Sequence, residues 1–368
     1  MTRPTLPPLE DFQRRLAPAW ESARLTNDGV LHAELRQALR EYLGVEHLSL
    51  CCNGTVALLL ALQAARINSG DVITTPFTFP ATAHSLHWNR VRPVFCDIEG
   101  RDFTLDPARI ERSIGPETRA ILPVHVFGYP CDVDAIQAIA DRHGLVVIYD
   151  AAHTMGVRLS GESILEWGNC SVLSFHATKL FTTAEGGAVV SRTESDRVRV
   201  DYLKNFGIAD EETVIGPGIN GKMNELQAAL GLLQLEGLDA EIDARGRLTG
   251  IYRERLRAVP GLTFQEDRPG VDHNYAYFTV LVDEQAFGMT RDELHEALGL
   301  FNVVARKYFH PLCSHYPSYS SLPSAQPENL PVAERVTASI LCLPLYGSLD
   351  PETVERICAL IAELHGVH

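Results

Sequence analysis

The chain has 368 residues, with 32 Lys and Arg against 47 Asp and Glu, a net charge of −15 and 45% hydrophobic residues. That length suffices for two domains with a large core, and the acidic balance argues against nucleic acid or an anionic membrane surface as a general partner. No apolar run approaches the roughly 18 residues of a spanning helix. The N-terminus lacks a signal-peptide core, and eight scattered cysteines without Cys-x-x-Cys fit a reduced, cytoplasmic protein.

Residues 1–30 are Pro-rich and read as an irregular N-terminal arm. Leu31, Leu35, Leu39 and Tyr42 recur at helical spacing, which predicts a first amphipathic helix. Residues 48–52 read as a strand holding Cys51 and Cys52. Asn53-Gly54-Thr55 then opens a helix over 56–66 that is apolar almost all round, and hence buried. Free N–H groups and the helix dipole make such a strand-to-helix turn an anion cradle, although Thr also serves as a simple cap.

The pattern then alternates. Strands are predicted at 72–75, 94–96, 120–126, 145–150, 171–175 and 187–191, with helices at 81–88, from Asp106, and at 132–143 before Gly144. Such alternation means a mostly parallel sheet covered on both faces. Gly216-Pro-Gly-Ile-Asn-Gly221 fits a dinucleotide glycine pattern, but Pro217 and the lack of a buried strand before it make it a loop. Helices at 224–239 and 241–259 form a bent connector ending at Pro260-Gly261. A strand at 275–282, a helix at 290–298, loop-like 306–327 and a closing helix at 351–364 follow. The domains are therefore an arm at 1–30, a large domain at 31–240 and a small α+β domain at 241–368.

Two stretches carry chemistry. The run 145–150 is apolar and ends in Asp150, at the strand end where open α/β sheets bind ligands. A carboxylate there needs a cation or several donors. Lys179 follows 29 positions later, set among Thr, Leu and Phe before Gly186-Gly187. Partial desolvation lowers a lysine's pKa and frees a neutral amine to attack a carbonyl. The pair suits pyridoxal 5'-phosphate: lysine forms the Schiff base, and aspartate keeps the pyridinium protonated so the ring accepts electrons. His84/His87 and His310/His315 have no acidic or cysteine company at ligand spacing, so no metal is expected.

Ser174-Phe-His-Ala-Thr-Lys179 with Glu185-Gly-Gly187, and Asp150-Ala-Ala-His153, resemble the DegT/DnrJ/EryC1/StrS family of nucleotide-sugar aminotransferases, over about 31–344. The resemblance implies a fold type I, aspartate-aminotransferase-like architecture: a large domain with a mixed, mostly parallel sheet, and a homodimer with shared active sites. By motif, Lys179 resembles the Schiff-base lysine and proton shuttle, and Asp150 the partner of the pyridine nitrogen. His153, where the family often has Gln, would donate to the ring hydroxyl. Ser174 and Gly54-Thr55 resemble phosphate ligands, and Phe79 the aromatic that stacks on the ring. Asn220 and Lys222 lie in the segment that reaches the neighbour's phosphate; which of them touches it stays open. Glu185, Tyr308 and His310 resemble substrate-pocket positions, with Cys313 where relatives commonly carry His.

The implied reaction moves the amino group of L-glutamate to a nucleotide-linked keto sugar. His176, Thr183 and Glu185 resemble the pattern of members acting at C4, which favours dTDP-4-keto-6-deoxy-D-glucose. The alternatives are a C3 keto-sugar or cyclitol aminotransferase, and a non-catalytic regulator on the same fold. A sugar dehydratase is disfavoured because relatives of that kind have His in place of Lys179.

Overall fold

Near-continuous apolar runs, which cannot leave either face in water, make the centre of the molecule. The structure is a computed structural model and describes residues 3–365. Seven strands form the main sheet: β1 (Leu48–Cys51), β2 (Asp71–Thr74), β3 (Arg92–Phe95), β4 (Thr118–Leu122), β5 (Val146–Asp150) and, after a small ribbon of β6 (Arg158–Leu159) and β7 (Glu162–Ser163), β8 (Cys170–Ser174) and β9 (Gly187–Ser191). Their order is β1-β9-β8-β5-β4-β2-β3, and within this sheet only β9 runs against its neighbours.

Helices α1 (Leu9–Glu21) and α2 (Val30–Leu43) precede the sheet; α3 (Gly54–Ala64), α4 (Pro80–Trp88), α5 (Pro107–Ser113) and α6 (Val133–His143) connect its strands; and α7 (Glu194–Leu203) leads from it to α8 (Glu225–Glu236). One core gathers Leu35, Ile136 and Leu173, and a second gathers Leu58, Val72 and Ile148. Local chemistry sets the helix ends. Asp132 caps α6 through the Ala135 N–H, and Gly144 stops it at φ +63°.

Gly237 joins α8 to α9 (Leu238–Leu256), which carries the chain into a three-stranded antiparallel sheet. That sheet holds β10 (Leu262–Phe264), then, past β11 (Val271–Asp272), β12 (Phe278–Val282), and later β13 (Ile340–Leu343). Helices α10 (Glu284–Phe287), α11 (Arg291–Leu300), α12 (Pro331–Ser339) and α13 (Pro351–Leu364) complete it. Its core includes Leu248, Val280 and Ile357. A further apolar cluster brings Phe77, just past β2, and Phe127, just past β4, against Phe309, at ring separations of 5.4 and 5.6 Å. This packing seats the segment around Phe309 over the C-terminal ends of the strands.

Two sequence expectations are corrected. Residues 1–30 are not all irregular: α1 turns Phe12, Leu16 and Ala19 toward the core, a spacing obscured by Pro4, Pro7, Pro8 and Pro18. Met1 and Thr2 of that arm lie outside the described residues. The strand expected at 120–126 ends at Leu122, because Pro123 has no N–H for the ladder, and Val126–Gly128 is a single tight turn. The helices α7 and α12 and the strand β13 were not anticipated. Among the described residues no helix is long and apolar enough to cross a membrane, and the eight cysteines are free.

One buried carboxylate ties the N-terminal helices to α8. Gly29, at the N-cap of α2, has no side chain to offer, and the Glu225 carboxylate accepts from the Leu31 and His32 N–H groups at 2.8 and 3.0 Å instead. Replacing Glu225 by Ala is expected to lower stability by about 1–3 kcal/mol, the cost of orphaned buried donors. An unchanged urea midpoint in E225A would remove this cap from the account.

Candidate active site

Asp150 ends β5 and is only 5% exposed. Its Oδ2 accepts from Thr82 Oγ1 at 2.7 Å and its Oδ1 from the Ala152 N–H at 3.1 Å. Because the Thr82 proton is committed to Asp150, the Thr78 hydroxyl donates to Thr82 Oγ1, 2.8 Å away. Burial nevertheless pushes the Asp150 carboxyl above its usual range, while these donors and the Lys179 charge pull it back. Two hydrogen bonds are a thin shell for a buried anion, so the site is built for a cation against it.

Lys179 lies in the turn between β8 and β9. The Lys179 N–H donates to the His176 carbonyl, and both Thr183 N–H and Thr182 Oγ1 donate to the Phe175 carbonyl. Phe175 and Phe181 pack edge to face beneath, 4.9 Å apart. Burial lowers the Lys179 pKa to about 8; the Asp150 carboxylate opposes this and Arg306 adds to it. His153, buried and neutral, has its pKa pushed well down by burial and then by Lys179. Its Nδ1 accepts from the Phe127 N–H at 3.1 Å, which puts the proton on Nε2, a donor for the cavity.

The anion cradle is where β1 turns into α3. Asn53 is the cap, its side chain accepting from the Val56 N–H at 2.8 Å. The Gly54 and Thr55 N–H groups therefore stand ahead of the capped ones. A Cβ on Gly54 would come within 2.8 Å of Ser174 Cβ, so only glycine lets the hydroxyl of β8 share the cradle. A Cβ on Gly187 would likewise meet the Asn53 backbone at 2.7 Å, which explains the second glycine of the pair after Glu185.

A cavity of about 600 Å³ joins these groups. Gly54, Thr55, Phe79, Asp150, His153, Ser174, Lys179, Glu185 and Tyr308 all line it. Phe79 is 50% exposed there, a flat apolar face with no ring of the described residues against it. Three expected residues lie elsewhere. His310 is exposed and off the lining, with Nδ1 3.5 Å from Thr337 Oγ1. Asn220 is exposed, and Lys222 donates to Asn205 Oδ1 at 2.9 Å; neither lines this cavity. Cys313 is buried, its thiol donating to the Thr78 carbonyl at 3.4 Å. Arg306 and Phe309 do line the cavity and were missed, as was the role of Thr82 behind Asp150. A lone arginine before an aromatic pair carries no periodic signal.

The donor set fits a flat, cationic aromatic ring with an anionic tail: a buried carboxylate at one edge, an imidazole N–H, a stacking face and a glycine cradle. An amine near neutrality beside them serves reactions in which nitrogen changes carriers, and the class is a lysine-dependent amino-group transferase. The chain belongs to the DegT/DnrJ/EryC1/StrS aminotransferase family, whose model matches residues 9–362, and it is an aminotransferase. It is 46% identical over 362 residues to a dTDP-4-amino-4,6-dideoxy-D-glucose transaminase of Escherichia coli, spanning 98% of this chain and 97% of the relative. A transaminase of the same name from Shigella dysenteriae is 43% identical over 364 residues, spanning 99% and 98%. The crystal structure of DesI in the presence of its TDP-sugar product superposes with a TM-score of 0.94 at 34% identity, covering 100% of this chain and 92% of that one.

Two outcomes are expected of this geometry. Capture of the pyridoxal 5'-phosphate aldehyde by the apoprotein needs the free amine. Its rate should therefore rise about tenfold per pH unit from below and level off above the Lys179 pKa of about 8. A rate that goes on rising about tenfold per unit through pH 9 to 10, with no plateau near 8, in stopped-flow absorbance contradicts a depressed lysine. Gly54→Ala should weaken binding of added pyridoxal 5'-phosphate and cost about 1–3 kcal/mol in stability through overpacking against Ser174; equilibrium dialysis of that compound checks it.

Proposed function

We propose that the chain is a pyridoxal 5'-phosphate-dependent aminotransferase that moves the amino group of L-glutamate to C4 of dTDP-4-keto-6-deoxy-D-glucose, giving dTDP-4-amino-4,6-dideoxy-D-glucose. The observation that carries this reading is the shared cavity of Lys179 and Asp150, each displaced by burial toward its neutral form. Asp150 would hold the pyridine nitrogen, His153 Nε2–H the ring hydroxyl, and Gly54, Thr55 and Ser174 the phosphate, with Phe79 against the ring. When bound, the cofactor supplies an electron sink for a carbanion.

The chain's own residues supply the rest. Lys179 Nζ, uncharged above about pH 8, takes the proton from C2 of glutamate and, in the second half-reaction, gives one to C4 of the sugar. Asp150, kept ionised by a cation against it, holds that cation in its charged form. Thr82 and the Ala152 N–H fix the carboxylate's orientation. Tyr308, Phe309 and Glu185 shape the side of the cavity left for the sugar.

The protein would work as a homodimer in which Asn220 or Lys222 completes the partner's phosphate site. Phe206, Ile208, Val214, Ile215 and Ile219 are exposed apolar side chains leading into Asn220, which suits a face covered by a second copy. A soluble cytoplasmic enzyme fits the acidic composition.

Lys179→Ala should reduce turnover on the order of 10⁴-fold, the upper range of a lost general acid–base. Purified enzyme with glutamate should aminate the 4-keto dTDP sugar; exclusive use of the 3-keto isomer, read by mass spectrometry of the product, overturns the C4 assignment. Mixing K179A with a double N220A/K222A variant should restore part of the activity through hybrid dimers. No restoration would count against shared sites.

A further inference from the structure

A second cavity, of about 520 Å³, shares no lining residue with the catalytic one. Its floor is the sheet, through Val146 of β5, Cys170 of β8 and Val189 of β9, and its walls are α3 and α7. Ala61, Ala64 and Ala65 line it at helical spacing, so α3 presents no bulk toward α7 there and a groove is left. The catalytic groups occupy the opposite ends of the same elements: β5 runs from Val146 to Asp150, β8 from Cys170 to Ser174, and α3 starts at Gly54. At the rise of an extended strand, Val146 and Asp150 stand about 13 Å apart.

Small side chains alone would leave an apolar gap, but polar groups without partners converge on this one. Ser191, at the end of β9, is 6% exposed, and its hydroxyl has no hydrogen-bond partner among the described residues. Arg199 of α7 is half-buried, and its Nε is likewise buried without a partner. Both line the groove, with Arg66 exposed at its rim. Buried polar atoms are almost always hydrogen-bonded, so these orphans call for a group that completes their shell. The one carboxylate among the described lining residues, Asp196, is engaged, its Oδ2 accepting from Thr193 Oγ1 at 2.7 Å. Two guanidinium groups against one occupied carboxylate, in a chain of net charge −15, select for an anion. The valine and alanine surfaces and the Tyr202 ring select for a flat apolar body. We propose that this groove is a second ligand site, which takes a small aromatic anion with its charge on Arg199 and Arg66 and its ring between α3 and α7. This inference is independent of the aminotransferase reading.

The test titrates holoenzyme with naphthalene-2-sulfonate by calorimetry. Saturable binding is expected with a Kd on the order of 1 mM or below, the range open to a ligand of this size. Arg199→Gln should weaken it about tenfold, the worth of one charge-assisted hydrogen bond. Arg199→Lys, which keeps the charge without the fork, should recover part of the loss. The neutral 2-naphthol, with the same rings and no anion, should bind the wild type at least about tenfold more weakly than the sulfonate. Ala64→Phe, which fills the groove from α3, should abolish binding; if that variant does not fold, R199Q and the naphthol comparison decide. No saturable heat up to about 10 mM sulfonate overturns the proposal. So does naphthol binding as tightly as the sulfonate, or affinity unchanged in both R199Q and A64F. In that last case, loss of binding in Phe79→Ala would put the compound in the catalytic cavity instead.

Discussion

A carboxylate placed at the buried end of a central parallel strand is the constraint to which the rest of this molecule answers. Asp150 has two hydrogen-bond donors and almost no water. In that setting the charged form persists only if a cation is brought against it. Lys179 is in turn held where its own charge is disfavoured. Each group is thus poised for a ligand that is positive at one edge and electrophilic at another.

The surrounding architecture serves that placement. The hydroxyl chain from Thr78 through Thr82 orients Asp150 from the start of α4. The Phe127 N–H selects the imidazole tautomer of His153, so the donor aimed at the cavity is determined by backbone geometry rather than by pH. Gly54 and Gly187 allow β1, β8 and β9 to approach more closely than any side chain would permit. The hairpin carrying Lys179 and the cradle at α3 are therefore one unit of tightly apposed backbone.

The segment between α11 and α12 contributes through packing. Phe309 stacks on Phe127 and meets Phe77 edge to face, which draws the neighbouring Tyr308 and Arg306 over the strand ends. Arg306 is locked by its bridge to Cys342, near the end of the chain. The same packing turns His310 away from the lining, although it is only two residues from Tyr308.

Features that depend on near neighbours were legible in the amino-acid order. Apolar runs and their periodicity marked the strands of the sheet and most helices, because burial on two faces or one dictates residue type at each position. Asp150, Lys179 and the Gly54–Thr55 turn were legible because each sits at the end of such a run, with its chemistry in the adjoining residues. What depends on contacts between distant segments was not. The first helix was hidden by prolines outside and near its end. Thr82 gained its task only when α4 was laid against β5, 68 positions away in sequence. Arg306 entered the cavity only through its pairing with β13, and His310 left it through packing on α12. Local pattern reports what a residue prefers, whereas long-range pairing in a close-packed interior decides which side chains face the same cavity.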